Sequence, residues 1–291
     1  MHNPFQSQID YIVHLAISED ICDPAKQIPE GDHSALACIP PGKIGKARLL
    51  VKEDGVLAGV TLSEQICAAI SSELTMEIFI SDGQWVKKGD IAFTVSGPEQ
   101  KILQAERLML NFMQRMSGIA TQTKRYVDAV SGTSVCILDT RKTTPALRVF
   151  EKWAVRIGGG HNHRFGLYDM IMLKDNHVDF CGGIRKAILA VKKYQDVRGL
   201  SLPVEVETRT LDEIKEALDT GFITRIMFDN FSVQQVEQAV QLVNHMVETE
   251  VSGGITLDTI RPYALAGPDY ISVGALTHSA KSIDLSLKAM R

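Results

Sequence analysis

No CxxC pair occurs in this sequence. Its five cysteines stand at 22, 38, 67, 136 and 181, an odd number separated by long gaps. Disulfide frameworks and structural zinc sites use clustered, recurring spacings. The cysteines therefore read as small buried thiols in a reducing compartment. No run of about 18 apolar residues is present to span a bilayer. The first twenty residues, MHNPFQSQIDYIVHLAISED, carry acids and lack a basic start with an apolar core. They do not read as a secretory signal, so the expected location is the cytoplasm. A basic excess is missing too. The chain has 31 Lys and Arg against 35 Asp and Glu, a net charge of -4. That excludes a broad nucleic-acid-binding face. A hydrophobic fraction of 45% at low net charge excludes intrinsic disorder. The 291 residues suffice for one large domain, or a large one with a small one.

What is present changes character along the chain. Ile9 to Ile17 has a weak helical pattern, and residues 21–45 are rich in Pro, Gly and Asp and read as a loop. KARLLVKEDGVLAGV and MEIFISDGQWVKKGDIAFTVSG read as short strands with Asp-Gly turns. A helix is predicted from Pro98 to Met116. Ala105, Leu108, Met109, Phe112 and Met116 share its apolar face, and Arg107 falls away from it. From about Gly118, apolar runs alternate with helical patterns. The runs are VCILDT, GLYDMIMLKD, PVEVET, ITRIMFDN, TEVSGG and YISVGAL. Repeated strand–helix units imply a parallel sheet buried on both sides. Polar residues recur at the strand ends, as they do where barrel strands converge on one mouth. Six strands are clear, and a seventh has room in residues 154–161. The expected fold is therefore α/β, with an incompletely closed barrel of six or seven strands.

The stretch from Asp139 to His177 holds seven Lys and Arg residues against four acids. Arg141, Lys142, Arg164 and Lys174 fall at or near strand ends. There the Arg fork and the Lys point charge suit carboxylates or phosphates. Arg148, Lys152 and Arg156 lie at helical spacing and read as a solvated face. Three glycines precede His161-Asn162-His163. They permit close backbone approach to an anion, and His163 reads as an anion- or ring-recognising group. Zinc would need two further ligands where most neighbours are basic. Glu207 and Asp229 end neighbouring strands, as a magnesium site or a stabiliser of developing positive charge would require. Glu205 and Glu207 share one strand side by period two, so either could be the inward carboxylate. Ser252-Gly253-Gly254 and Gly274, with His278 one turn later, suit a phosphate cradle at the last two strands. This inventory fits phosphoribosyl transfer to a carboxylated acceptor. It also fits a Schiff-base aldolase using Lys174, or a small-ligand module without catalysis.

DTRKTTP at 139–145, GGGHNHR at 158–164 and MLKDNH at 172–177 resemble the quinolinate phosphoribosyltransferase family. QRMSGIAT, VEVET, FDN, SGGI and ISVGALTHS continue the resemblance in order. It implies an N-terminal α/β sandwich domain over 1–116, joined by a C-terminal helix at 276–291. An incompletely closed TIM-like barrel would span 117–275. The implied reaction joins quinolinate to phosphoribosyl pyrophosphate and gives nicotinate mononucleotide, pyrophosphate and carbon dioxide. By resemblance, Arg141, His163, Arg164 and Lys174 hold the dicarboxylate, with Lys142 between it and the diphosphate. Glu207 and Asp229 serve the ribose and Mg2+. Ser252, Gly253, Gly254, Gly274 and His278 hold the 5-phosphate. No organic cofactor is implied. The family pairs subunits head to tail as homodimers, with hexamers among some relatives, and Arg107 would reach the partner's site. The family's GDxTT-like stretch reads GDHSALA here, at 31–37, and Phe228 replaces a frequent Leu.

Overall fold

Alternating burial along β1 sets the first sheet. Ala47, Leu49 and Val51 are buried while Arg48 is exposed, the period-two pattern of a strand with one packed face. The computed structural model of the chain describes residues 4–290. Its first part gives α1 (Gln6–Ile21), α2 (His33–Cys38), β1 (Ile44–Val51), β2 (Gly55–Val56), α3 (Val60–Ile70), β3 (Thr75–Ile78), β4 (Trp85–Val86), β5 (Ile91–Pro98) and α4 (Glu99–Ala129). There follow β6 (Cys136–Leu138), α5 (Arg148–Ile157), β7 (Ile171–Leu173), α6 (Asp175–Cys181), α7 (Ile184–Arg198) and β8 (Val204–Thr208). The chain closes with α8 (Leu211–Leu218), β9 (Arg225–Asp229), α9 (Val233–Val243), β10 (Glu248–Ser252), α10 (Ile260–Leu265), β11 (Tyr270–Ser272), α11 (Ala275–His278) and β12 (Leu285–Met290).

Two compact units result. One contains the chain up to Lys124, Thr143–Gly159 and the segment from Ser279 onward; the other contains Arg125–Lys142 and Gly160–His278. The first is an α/β sandwich whose sheet runs β12-β1-β5-β3. Leu49, Leu62, Ile66, Phe93 and Met109 are fully buried in it. The second holds six parallel strands in the order β6-β11-β10-β9-β8-β7. β6 and β7 stand at the two ends of that order, so the sheet is an incompletely closed TIM-like barrel. Val206, Ile226, Phe228, Val251 and Ile271 are buried along it, and helices between strands cover what a parallel sheet cannot leave wet.

Five expectations change. The C-terminal segment is not a helix over 276–291. Among the described residues there only α11 is helical, and Leu285 to Met290 pair antiparallel with β1. Leu285 and Leu287 turn inward at period two while Lys288 points out, which is strand spacing. Residues 154–161 supply no full seventh strand. α5 occupies the first half of them, and His161 makes a single bridge to Leu138. Val149, Phe150, Ala154 and Val155 share the buried face of α5, and Lys152 is buried with them rather than solvated. The loop at 21–45 contains α2, capped by the Asp32 carboxylate, which accepts from the Ser34 and Ala35 amides. α4 runs past Met116 to Ala129. Gly118 sits within it where a Cβ would collide with the Lys281 backbone, so glycine serves close packing there.

Candidate active site

The ends of β6 to β11 enclose a cavity of about 720 Å3. Twelve of the thirteen residues singled out from sequence line it. From the basic stretch come Arg141, Lys142, His163, Arg164 and Lys174. From the later strand ends come Glu207, Asp229, Ser252, Gly253, Gly254, Gly274 and His278. The thirteenth, Arg107, lies exposed on α4 of the first unit, beside a separate cavity lined by Asp32, His33 and Gln104.

Local bonds hold the basic residues at the mouth. β6 ends into Asp139, a fully buried carboxylate. It accepts from the His163 amide at 2.9 Å and from Asn162 Nδ2 at 2.6 Å. That ties the strand end carrying Arg141 and Lys142 to the loop carrying His163 and Arg164. Thr277 Oγ1 donates to the Lys142 carbonyl at 2.9 Å, fixing the same loop from α11. Arg141 Nε is buried with no hydrogen-bond partner among the described residues. An unmet buried donor is costly unless a ligand supplies the acceptor. Burial and the neighbouring Arg141 guanidinium both draw the Arg164 pKa below its ordinary value. Two guanidiniums so close make a strong positive potential that an anion would relieve.

Two carboxylates, Glu207 and Asp229, line the same cavity. Lys174 Nζ donates to Glu207 Oε2 at 3.1 Å. The Lys174 side chain keeps 46% of its exposure. A Schiff-base lysine is usually desolvated in an apolar pocket, which this partly solvated, ion-paired amine is not. Asp229 accepts from Asn230 Nδ2 at 2.8 Å. At the following strand end Gly253 has φ +101°, and a Cβ there would overlap the Asn230 side chain. Only glycine serves in that position. A Cβ at Gly274 would press on His278 Nε2 and Lys142 Cδ, each at 3.1 Å. Both strand ends thus keep bare backbone toward the cavity.

Beneath the mouth lies a second set of charges. Glu205 and Glu207 do share one strand side, but at different depths: Glu205 is fully buried and Glu207 is at the rim. His163 Nε2 lies 3.0 Å from Glu205 Oε2 and 3.3 Å from Glu250 Oε2. Arg225 Nη1 is 3.0 Å from the same Glu250 oxygen. Its other nitrogens meet Glu248, and its plane lies over the Tyr270 ring at 4.1 Å. Burial would lower the His163 pKa, but contacts with Glu205 and Glu250 outweigh it and raise it to about 9. The Arg164 amide, 2.6 Å from Nδ1, opposes the cation because it needs a lone pair there. In both protonation states Nε2 keeps its proton toward the carboxylates. Burial and Glu250 push the Glu205 pKa up, whereas at Glu250 the His163 and Arg225 contacts overcome burial and bring it down. His163, Glu205 and Glu250 also bring one ligand atom each within 4.8 Å of the others, a cluster capable of holding a divalent ion. Glu250 and Arg225 were not singled out from sequence. The available signal was the period-two series Glu248, Glu250 and Ser252 in β10, which puts Glu250 on the same side as a strand-end polar residue.

Residues 119–288 match the quinolinate phosphoribosyl transferase C-terminal domain, and residues 32–117 match the N-terminal domain of the same family. The chain is 47% identical to the chloroplastic, carboxylating nicotinate-nucleotide pyrophosphorylase of Oryza sativa, across 95% of this chain and 76% of that protein. The crystal structure of NadC from Streptococcus pyogenes superposes with a TM-score of 0.89 at 39% identity, covering 100% of this chain and 99% of that one. The nicotinate-nucleotide pyrophosphorylase from Francisella tularensis gives 0.87 at 35% identity, covering 98% and 96%. The chain belongs to the quinolinate phosphoribosyltransferase family. Its activity is that of a carboxylating nicotinate-nucleotide pyrophosphorylase, a phosphoribosyltransferase of NAD biosynthesis. Among the described residues, no helix is long and apolar enough to cross a membrane.

Proposed function

We propose a division of labour in which the basic side of the cavity holds quinolinate and the glycine side holds phosphoribosyl pyrophosphate. The observation that carries it is the grouping in one cavity of Arg141, Lys142, Arg164 and Lys174 with two carboxylates and two glycine strand ends. Arg141 and Arg164 take the two ring carboxylates, the acceptors that the unmet Arg141 Nε lacks. Lys174 completes that side, His163 supports it from beneath the mouth, and Lys142 lies between the acid and the diphosphate. Ser252, Gly253, Gly254, Gly274 and His278 hold the 5-phosphate through close backbone approach.

The pyridine nitrogen attacks the anomeric carbon of the ribose as the bond to pyrophosphate breaks. Positive charge builds on the sugar in that step, and Glu207 and Asp229 favour it from the rim. The new bond leaves the ring cationic. The 2-carboxylate then departs as carbon dioxide, its electron pair stays on the ring carbon, and that carbon takes a proton. Mg2+ bound with the second substrate would neutralise charge on the leaving pyrophosphate. Glu207 and Asp229 fit it as hard oxygen donors beside phosphate. The His163 cluster fits Mg2+ less well, because it offers an imidazole and Arg225 already occupies Glu250.

A second copy of the chain would supply Arg107 to this cavity, in a homodimer or a hexamer built from such dimers. Mixed oligomers of Arg107→Ala and Lys174→Ala chains should then regain activity that neither has alone; none regained argues against sharing. The free cysteines suit the cytoplasm. The test of the reaction is pyrophosphate release with quinolinate and with nicotinate in separate assays. Turnover with quinolinate and carbon dioxide release are expected. Turnover with nicotinate alone would overturn the dicarboxylate reading.

A further inference from the structure

We propose that Glu250, together with Glu205, is a positioning residue for quinolinate binding, holding His163 so that Arg164 is presented to the cavity. This rests on the assignment of quinolinate to the basic side of the mouth.

The geometry carries it in three steps. First, His163 turns both ring nitrogens into the protein. Nε2 faces the two buried carboxylates at 3.0 and 3.3 Å, and Nδ1 faces the Arg164 amide at 2.6 Å. With 5% of the side chain exposed, the imidazole acts through its neighbours and not as a substrate donor. Second, Glu250 is itself held. Arg225 grips it at 3.0 Å, and Arg225 is pinned between Glu248 and the Tyr270 ring. A continuous line of polar contacts therefore runs Arg225, Glu250, His163, Arg164, from the strand interior to the mouth. Asp139 adds a brace by accepting the His163 amide. Third, Arg164 needs the negative charge below it. Its guanidinium is pushed by Arg141 and drawn by Glu205. Without the acids, repulsion between the two guanidiniums would spread the fork that must meet two carboxylates on adjacent ring carbons.

Glu250→Gln keeps the side-chain shape and removes its charge. In the full-length enzyme, KM for quinolinate should rise about tenfold, the scale of a small misplacement of a binding group. KM for phosphoribosyl pyrophosphate should stay within about twofold. A role confined to folding would not separate the two constants. The link to Arg164 is read from a double-mutant cycle with Arg164→Lys. Non-additive effects on quinolinate KM are expected, because the two changes act on one contact. Additive effects, or an unchanged quinolinate KM in folded Glu250→Gln, would overturn the proposal. If Glu250→Gln does not fold, Glu205→Gln is read by the same measures. Failure of both to fold would also overturn it, since the cluster would then serve the fold alone. Wild-type turnover, measured alongside, separates the two ideas. Loss of the quinolinate reading would show in the wild type, and loss of this inference only in the variants.

Discussion

Arg225 and Arg209 each bridge two carboxylates with nearly the same geometry. Arg225 meets Glu250 at 3.0 Å and Glu248 at 2.8 Å, while Arg209 meets Asp179 and Glu213 at 3.0 Å each. They differ in what surrounds them. Arg225 keeps 10% of its side-chain exposure and lies over an aromatic ring; Arg209 keeps 44% among the outer helices. In water, two charges gain little by meeting and lose side-chain freedom. In the interior, each has already lost its hydration, so removing one strands the other. The pair teaches that a bond's geometry does not set its worth; the environment of the partner left behind does.

The largest expected effect breaks the buried member. Arg225→Met leaves Glu250 fully buried without the guanidinium that pairs with it. The cost should be about 3–5 kcal/mol in urea unfolding. Replacing Glu250 by Met in the same chain should recover part of that loss, because no charge is then stranded. If the single variant were as stable as wild type, the burial argument would fail.

Arg141 sharpens the comparison as a third kind of arginine. Its Nε is buried but has no protein partner among the described residues, so deleting it strands no protein carboxylate. Arg141→Ala should leave the unfolding midpoint close to wild type. Loss of a desolvated contact to substrate should cost about 2–5 kcal/mol, or roughly 30-fold or more in kcat/KM for quinolinate. Unchanged kinetics would remove Arg141 from the site. Arg115, in the first unit, stands between the extremes. It donates to the buried Glu151 at 2.8 and 3.1 Å, but Thr144 also bonds that carboxylate through its amide and hydroxyl. Arg115→Met should therefore cost less than Arg225→Met, about 1.5–3 kcal/mol in urea unfolding.

The same contrast explains what was legible in the sequence. Strand ends could be read, because a polar residue closing an apolar run marks a mouth; that found Arg141, Lys174, Glu207 and Asp229. The floor was harder. Period two places Glu205 and Glu207 on one side of β8, yet depth depends on which residues neighbouring strands contribute, and Arg225 and Glu250 come from β9 and β10. Lys152 shows the same gap: helical spacing identified α5, but not which of its faces is buried. The strand at the chain's end was missed because six residues carry little periodicity of their own. Pairing with β1, more than two hundred residues earlier, decides their state.

The smallest expected effect lies at the exposed member. Its carboxylates raise the Arg209 pKa, but the group is open to solvent and counter-ions screen it. Arg209→Gln should cost less than about 1 kcal/mol in urea unfolding. Most of that should vanish when the ionic strength is raised to about 1 M, where screening acts over about 3 Å. The Arg225→Met deficit should persist at that salt, since ions do not reach the interior. If both deficits shrank together, the interior charges would be in contact with solvent, and environment would no longer separate the two arginines.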